Sequence, residues 1–321
     1  MRRASGILLG ILVALALAGC GTSSDQALHL TLAALAAQPA TTTAPSPPPA
    51  PKSSCGDPTA SLRPPASLPA PGGMPAGSYM ARIARRGRLI AGVDQNTLLF
   101  AYLNPLNGRL EGFEIDMLRL LAKAITGSPD KIEFKAITTA QRIDAVRNGT
   151  VDVVADAFTI TCDRRRQVDF STAYFDAGQR VLVPADSTAR GIADLGGKRV
   201  CATRGSTSIE NVQRAHPRPV PVALAQRTDC LVALQEGTVD AISTDDAILL
   251  GLEAQDPQVK IVGPRFSGEP YGMAIGKSHP EFVRFVNGVL EQMRTDGTWQ
   301  GIYSRWLPGR PPAPPTPHYS G

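Results

Sequence analysis

The feature that most constrains this chain is a unit written twice. Arg147-Asn148-Gly149-Thr150-Val151-Asp152 is echoed by Gln235-Glu236-Gly237-Thr238-Val239-Asp240. Each copy follows an amphipathic helical pattern and opens a short apolar run that ends in polar residues. These are Asp156 to Thr161 after the first copy and Thr244-Asp245-Asp246 after the second. Four shared letters, Gly-Thr-Val-Asp, are a short match, but the same helix-glycine-strand-polar context around both points to two related lobes. Ligands of parallel α/β sheets gather beyond the carboxyl ends of the strands, so the two polar segments are expected to face one another across a cleft.

The rest of the core reads as alternating strands and helices. Leu89-Ile90-Ala91-Gly92-Val93 is a short apolar run with the length of a buried strand. After the turn signal Asn107-Gly108, Ile115, Leu118, Leu121, Ala122 and Ile125 recur on one helical face, and Gly127 and Pro129 stop that helix. Ile132 to Ile137 alternates as a strand, a helix runs through Arg142, Ile143, Val146 and Arg147, and Val151 to Ala155 is the next strand. This alternation predicts an α/β fold with mainly parallel sheets flanked by helices.

The ends predict export. Met1-Arg2-Arg3, the apolar run Ile7 to Ala18 and Leu17-Ala18-Gly19-Cys20 form a basic region, a hydrophobic region and a small-residue cleavage site. The run is shorter than the ~20 residues that span a bilayer. The last four residues resemble a bacterial lipobox, so 1–19 read as a signal peptide and Cys20 as the lipidated first residue on the outer face of the cytoplasmic membrane. Residues 20–78, rich in Ala, Pro, Ser and Thr, read as a tether, and the Pro-rich 308–321 as a disordered tail.

Secretion favours disulfides. Besides Cys20, Cys55, Cys162, Cys201 and Cys230 allow three pairings. Cys201 on a strand and Cys230 opening the next helix of the same lobe favour one another, which leaves Cys55 to Cys162. No Cys-x-x-Cys occurs, and the four His stand apart at 29, 216, 279 and 318, so neither metal nor cofactor is expected. A net charge of +5 over 321 residues is modest. Arg164-Arg165-Arg166 lacks the aromatic platform of a nucleic-acid surface, and no nucleic-acid partner is expected.

Val200-Cys201-Ala202-Thr203-Arg204-Gly205-Ser206-Thr207-Ser208 reads as a strand and a glycine turn, with a helix beginning near Ile209. A helix N-terminus is suited to a carboxylate, but Thr207 or Ser208 could equally serve there as plain caps.

Several motifs now line up. Glu111-Gly112-Phe113-Glu114-Ile115-Asp116, Thr159-Ile160-Thr161-Cys162-Asp163-Arg164, Val168-Asp169-Phe170-Ser171 and Asp194-Leu195-Gly196-Gly197-Lys198 are followed by Gly205-Ser206-Thr207, Gln235 to Ala241 and Asp296-Gly297-Thr298-Trp299. In order and spacing, over nearly all of 85–307, this resembles the polar amino-acid solute-binding proteins of ABC importers, most of all actinobacterial glutamine/glutamate-binding lipoproteins of the glutamine-binding type. The resemblance implies a two-lobed type II periplasmic-binding-protein-like fold. Its first lobe would be 79–177 with 271–307 and its second 178–270, joined by two crossings near Tyr174 to Arg180 and Ser267 to Tyr271.

It also implies residue roles. Arg164 would grip a ligand α-carboxylate, helped by Thr159 and the backbone at Thr207. Asp245, or its neighbour Asp246, would meet the ammonium with backbone oxygen from Asp156 and Ala157. Asp94 holds the polar position ending the first strand, while Leu99-Phe100 replaces the family's Pro-Phe, so that Phe100 or Tyr102 would supply an aromatic wall. Gln141-Arg142-Ile143 resembles the Asn-Arg-Ile of binders for acidic amino acids. That makes Arg142 the leading partner for a ligand side chain, ahead of Arg204 and Lys123. The expected protein is a monomeric, non-enzymatic lipoprotein that binds glutamate, aspartate, glutamine or asparagine and serves an ABC permease. A membrane sensor is the alternative partner. An enzyme on the same fold, of dehydratase type, is disfavoured by the lack of a Ser/His/Asp set, a nucleotide loop or a raised acid pair.

Overall fold

The structure is a computed structural model that describes residues 54–320. Two five-stranded sheets carry it, and the duplicated unit lies in the same place in both. In the first, β2 (Leu89–Val93) pairs in parallel with β6 (Ile132–Ala136) and β7 (Val153–Val154). An antiparallel β16 (Ala274–Ile275) then joins β7 to β8 (Asp169–Phe170). In the second, β11 (Arg199–Thr203) pairs in parallel with β12 (Val220–Leu224) and β13 (Ala241–Asp245). An antiparallel β10 (Gln179–Pro184) joins β13 to β14 (Val259–Val262). The orders β6-β2-β7-β16-β8 and β12-β11-β13-β10-β14 put β7 and β13, the strands opened by the two Gly-Thr-Val-Asp copies, at the centre of each sheet.

Each sheet is therefore a parallel triplet completed by antiparallel pairings, less parallel than the sequence suggests. The antiparallel strands β10 and β16 follow the two crossings of the chain, which return it from the opposite direction. The crossings themselves pair as β9 (Phe175–Ala177) with β15 (Glu269–Tyr271), in the register Phe175↔Tyr271 and Ala177↔Glu269. Two adjacent crossings give a hinge that can bend with few changed dihedrals.

The largest apolar cluster lies under the first sheet. It gathers Phe100, Phe113, Tyr174, Tyr271, Phe282, Phe285 and Trp299, all buried. Trp299 sits in α9 (Thr298–Trp306) and donates its Nε1–H to the Tyr174 carbonyl at 2.8 Å, so this ring is buried with its polar atom satisfied. Gly112 heads α2 (Phe113–Thr126) with a φ of 136°. A Cβ there would lie 2.2 Å from the Phe100 carbonyl oxygen, which is backbone and cannot swing away. Gly112→Ala is therefore expected to cost at least about 2 kcal/mol. At roughly 2–4 °C per kcal/mol, the thermal midpoint should fall by about 4 °C or more. A midpoint equal to wild type in a melting experiment would contradict this close approach.

Two segments differ from the sequence reading. From Ser54 onward the expected tether is packed: Leu62, Leu68 and Met74 sit against the core cluster, and buried Ser61 donates its hydroxyl to Phe170 O at 2.7 Å. The tail expected to be disordered ends in β17 (Tyr319–Ser320), paired in parallel with β1 (Ser61–Leu62). Tyr319 donates to Glu291 at 3.0 Å, and the Asp57 carboxylate meets His318 Nδ1 at 2.7 Å. Proline-rich chain makes few hydrogen bonds of its own, but a few side-chain anchors at intervals are enough to order it. Composition averages over such anchors and hides them. The signal peptide, Cys20 and the rest of the tether lie outside the described residues.

Two disulfides close, Cys55–Cys162 and Cys201–Cys230, with Cα separations of 5.5 and 5.6 Å. These are the pairs the sequence favours. Among the described residues no helix is long and apolar enough to cross a membrane.

Candidate ligand-binding cleft

The central strands β7 and β13 run out toward a shared cleft that is closed down to a cavity of about 10 Å³, room for about one water. Its walls are almost entirely polar. Seven hydroxyls line it, from Thr139, Thr159, Thr203, Ser206, Thr207, Ser208 and Thr244, together with Arg142, Arg227 and Asp245, and only Ala157 and Ile248 are apolar. A lining this polar suits a compact charged molecule and not a lipid or an aromatic cofactor, and the cleft must open to admit one. Among the described residues no group of His, Cys, Asp and Glu could hold a metal ion.

Arg142 lines its cationic end, and Arg164, which is not itself among the lining residues, stands beside Arg142. Arg142 opens α3 (Arg142–Arg147) after a short 3-10 turn, Thr139–Gln141, closed by a capping box between Thr138 and Gln141. Its guanidinium donates from Nε to Thr139 O at 2.9 Å and from Nη1 to Asp156 O at 2.9 Å and Ala157 O at 3.3 Å. It is 2% exposed, so this is no surface helix arginine. Arg164 lies in the four-residue helix α4 (Cys162–Arg165), whose start is capped by the Thr161 hydroxyl accepting from Arg164 N at 3.2 Å. Arg164 donates to Thr159 O at 2.7 Å and to Gly205 O at 3.2 Å, and Arg142 Nη2 reaches the same Gly205 oxygen at 3.4 Å. Both guanidinium carbons lie over the Phe158 ring, at 4.1 and 4.8 Å from its centroid. Burial, and then the neighbouring Arg164 charge, push the Arg142 guanidinium down to about 9. Two buried like charges this close favour an anion between them.

The opposing charge is Asp245, the last residue of β13 and the N-cap of α7 (Asp246–Gln255). Its Oδ2 accepts from the Tyr271 hydroxyl at 2.6 Å, while Oδ1 is buried with no hydrogen-bond partner. Burial, then repulsion from Glu269, push its carboxyl up to about 7. Asp246 faces away from the cavity, accepting from Gly178 N at 3.2 Å and Arg265 Nε at 2.5 Å. The two-residue period of the strand separates these neighbours, placing Asp245 on the cavity side.

Backbone conformation shapes the floor. Ala157 has a left-handed φ of 43°, and its N–H donates at 2.7 Å to buried Glu114, which also accepts from the Tyr174 hydroxyl. Burial and then Asp156 push the Glu114 carboxyl up to about 7. Thr207 begins α5 (Thr207–Arg214) and Ser206 caps it, accepting from Ile209 N at 3.2 Å, so the helix starts earlier than expected and neither Thr207 nor Ser208 is the cap. The Thr207 hydroxyl instead donates to Glu269 at 2.7 Å, and it lies 3.4 Å from that of Thr159.

Other expected residues lie elsewhere. Phe100 is fully buried among Phe113, Phe175 and Tyr271 and does not line the cavity. Leu99 takes a left-handed φ of 77°, and the side chain after it turns into the core. Tyr102 donates to Glu111 at 3.2 Å, also away from the cavity, so neither ring forms a wall there. The ring under the two arginines is Phe158, which does not line the cavity either. Arg204 and Lys123 are exposed. Asp94 and Asp156 do not line the cavity either: both hold Arg227, a residue sequence reasoning missed. A lone arginine at a helix start reads as a solvated charge, and its partners stand far away in sequence.

Known proteins resemble this chain over most of its length. A glutamine-binding protein of an ABC transporter from Bacillus subtilis, GlnH, is 36% identical over 229 residues, covering 71% of this chain and 84% of that protein. The glutamate/aspartate import solute-binding protein of Salmonella typhimurium is 28% identical over 75% of this chain and 82% of its own. Among solved structures, an ancestral arginine-binding protein bound to glutamine superposes with a TM-score of 0.65 at 38% identity, covering 69% of this chain and 98% of that one. Residues 89–309 match the family model of the bacterial extracellular solute-binding proteins, family 3, and the chain belongs to that family.

Proposed function

We propose that this protein is an extracytoplasmic lipoprotein, anchored through Cys20, that captures a polar α-amino acid in the cleft and presents it to an ABC permease. One observation carries the reading: buried guanidinium groups and a buried carboxylate with an unpartnered oxygen share one small cavity, which complements a zwitterion. Arg164 takes the α-carboxylate, since a planar guanidinium suits a bidentate partner, with Thr159 and the backbone at Thr207 beside it. Asp245 takes the ammonium with the Ala157 carbonyl. Relatives named for glutamine and for glutamate and aspartate support the ligand class, with glutamine the best supported single ligand.

Arg142 is the group that meets the ligand side chain. A buried side-chain carboxylate needs a cation, and an amide oxygen gains less from one. Arg142→Ala should therefore weaken glutamate and aspartate at least about tenfold more, or ~1.4 kcal/mol, than glutamine and asparagine in calorimetric titrations. Equal weakening of all four ligands would move Arg142 into the shared carboxylate clamp and remove this account of selectivity.

A further inference from the structure

Arg227 is the first residue of α6 (Arg227–Gln235), which connects β12 to β13 of the second sheet. Its guanidinium crosses the cleft to the first sheet. Nη1 donates to Asp94 Oδ2 and, at 2.8 Å, to Thr97 Oγ1, while Nη2 donates to Asp156 Oδ1 at 2.9 Å. The arginine side chain is 4% exposed and the two carboxylates 2% and 1%. Burial works against its charge, but Asp156 and Asp94 outweigh burial and hold it more firmly protonated than usual. Asp94 follows β2 and Asp156 follows β7, both at the carboxyl ends of neighbouring strands where a ligand side chain would extend.

Without Arg227 this end of the cavity would hold two buried carboxylates with Arg142 at 3.9 Å as the remaining cation near Asp156. Such a pair would draw in the ammonium or guanidinium of a cationic side chain, because uncompensated buried carboxylates are costly. Resting on the reading that the cleft binds an α-amino acid, we propose that Arg227 is a specificity-determining residue: a built-in guanidinium that fills the Asp94–Asp156 site and so bars lysine and arginine as ligands. Selectivity then has a repulsive element, Arg227, beside the attractive one, Arg142.

The test is calorimetry on the full chain with glutamate, glutamine, arginine and lysine, for wild type, Arg227→Ala and the near-isosteric Arg227→Gln, with thermal melting to establish that each variant is folded. Wild type should bind glutamate or glutamine and give no measurable heat with arginine or lysine. A folded Arg227 variant should gain arginine affinity at least tenfold and shift the arginine-to-glutamate preference about a hundredfold. Adding Asp94→Asn to that variant should remove the gain. Folded variants that bind arginine and lysine no better than wild type, whether they keep glutamate or lose every ligand, would overturn the proposal and leave Arg227 a structural tie between the sheets. Failure of wild type to bind any of the four would instead count against the amino-acid reading itself.

Discussion

Arg164→Ala is expected to remove measurable binding of every amino acid while leaving a folded protein. The α-carboxylate is common to all such ligands, so its partner sets affinity for the class and not the choice within it. Loss of one partner of a buried, hydrogen-bonded charge pair costs roughly 2–5 kcal/mol, which is about 30-fold to several thousandfold in Kd. The fold should tolerate the change better than the site does. Burial already disfavours the Arg164 charge, and of the two carbonyls it serves, Gly205 O keeps Arg142 as a donor. Titration calorimetry beside a melting curve separates these effects. Retained affinity in the folded variant would place the carboxylate elsewhere, with Arg142 as the next candidate.

The second large effect belongs to Asp245, and it has two opposite signs. Its folded carboxyl is raised to about 7 from 3.8, by burial first and Glu269 next. A raised folded value contributes stability that is fully present below about pH 4 and is lost as pH rises through about 7, because the buried group must then ionise. Ligand-free Asp245→Asn should consequently be more stable than wild type at pH 8, by up to about 4 kcal/mol as an upper bound. Asparagine can still accept from the Tyr271 hydroxyl. Binding runs the other way, since a ligand ammonium needs the carboxylate: Asp245→Asn should lose affinity by roughly 2–5 kcal/mol.

Wild-type affinity should also fall below pH 7, by up to tenfold per unit, because binding must expel the proton. The variant should lose that dependence. Glu269, Asp246, Arg227 and Tyr271 surround Asp245, and Glu114 titrates in the same range. For this reason the difference between variant and wild type is the informative quantity. An affinity profile that falls with acid equally in both proteins would assign the proton to Glu114 or another group.

How far the sequence speaks depends on whether the information is local. The Gly-Thr-Val-Asp repeat located the central strand of both sheets because a glycine turn and an apolar run are neighbours along the chain. Ala157 and Thr159, close behind the first of these strands, line the cavity for the same reason. Arg227 was not legible, since it gains its meaning from Asp94 and Asp156, which lie on another sheet. Phe100 failed on backbone geometry: a strand pattern says that an aromatic alternates, but not that a left-handed Leu99 sends it into the core. The ordered tail failed on averaging, because His318, Tyr319 and Ser320 are anchoring residues at the end of a stretch dominated by proline.

The central claim is that the lobes close on an amino acid. In the closed arrangement Asp245 Oδ1 and Asp156 Oδ2 are buried without hydrogen-bond partners, a cost of about 1–3 kcal/mol for each such group and more for a charged one. A ligand ammonium relieves part of that cost, and its binding should therefore drive closure about β9 and β15. Small-angle X-ray scattering on protein stripped of amino acids, with and without saturating glutamate or glutamine, measures this directly. The account predicts a more compact particle with ligand, and no contraction in Arg164→Ala. Identical profiles at ligand concentrations shown by calorimetry to saturate the protein would contradict it.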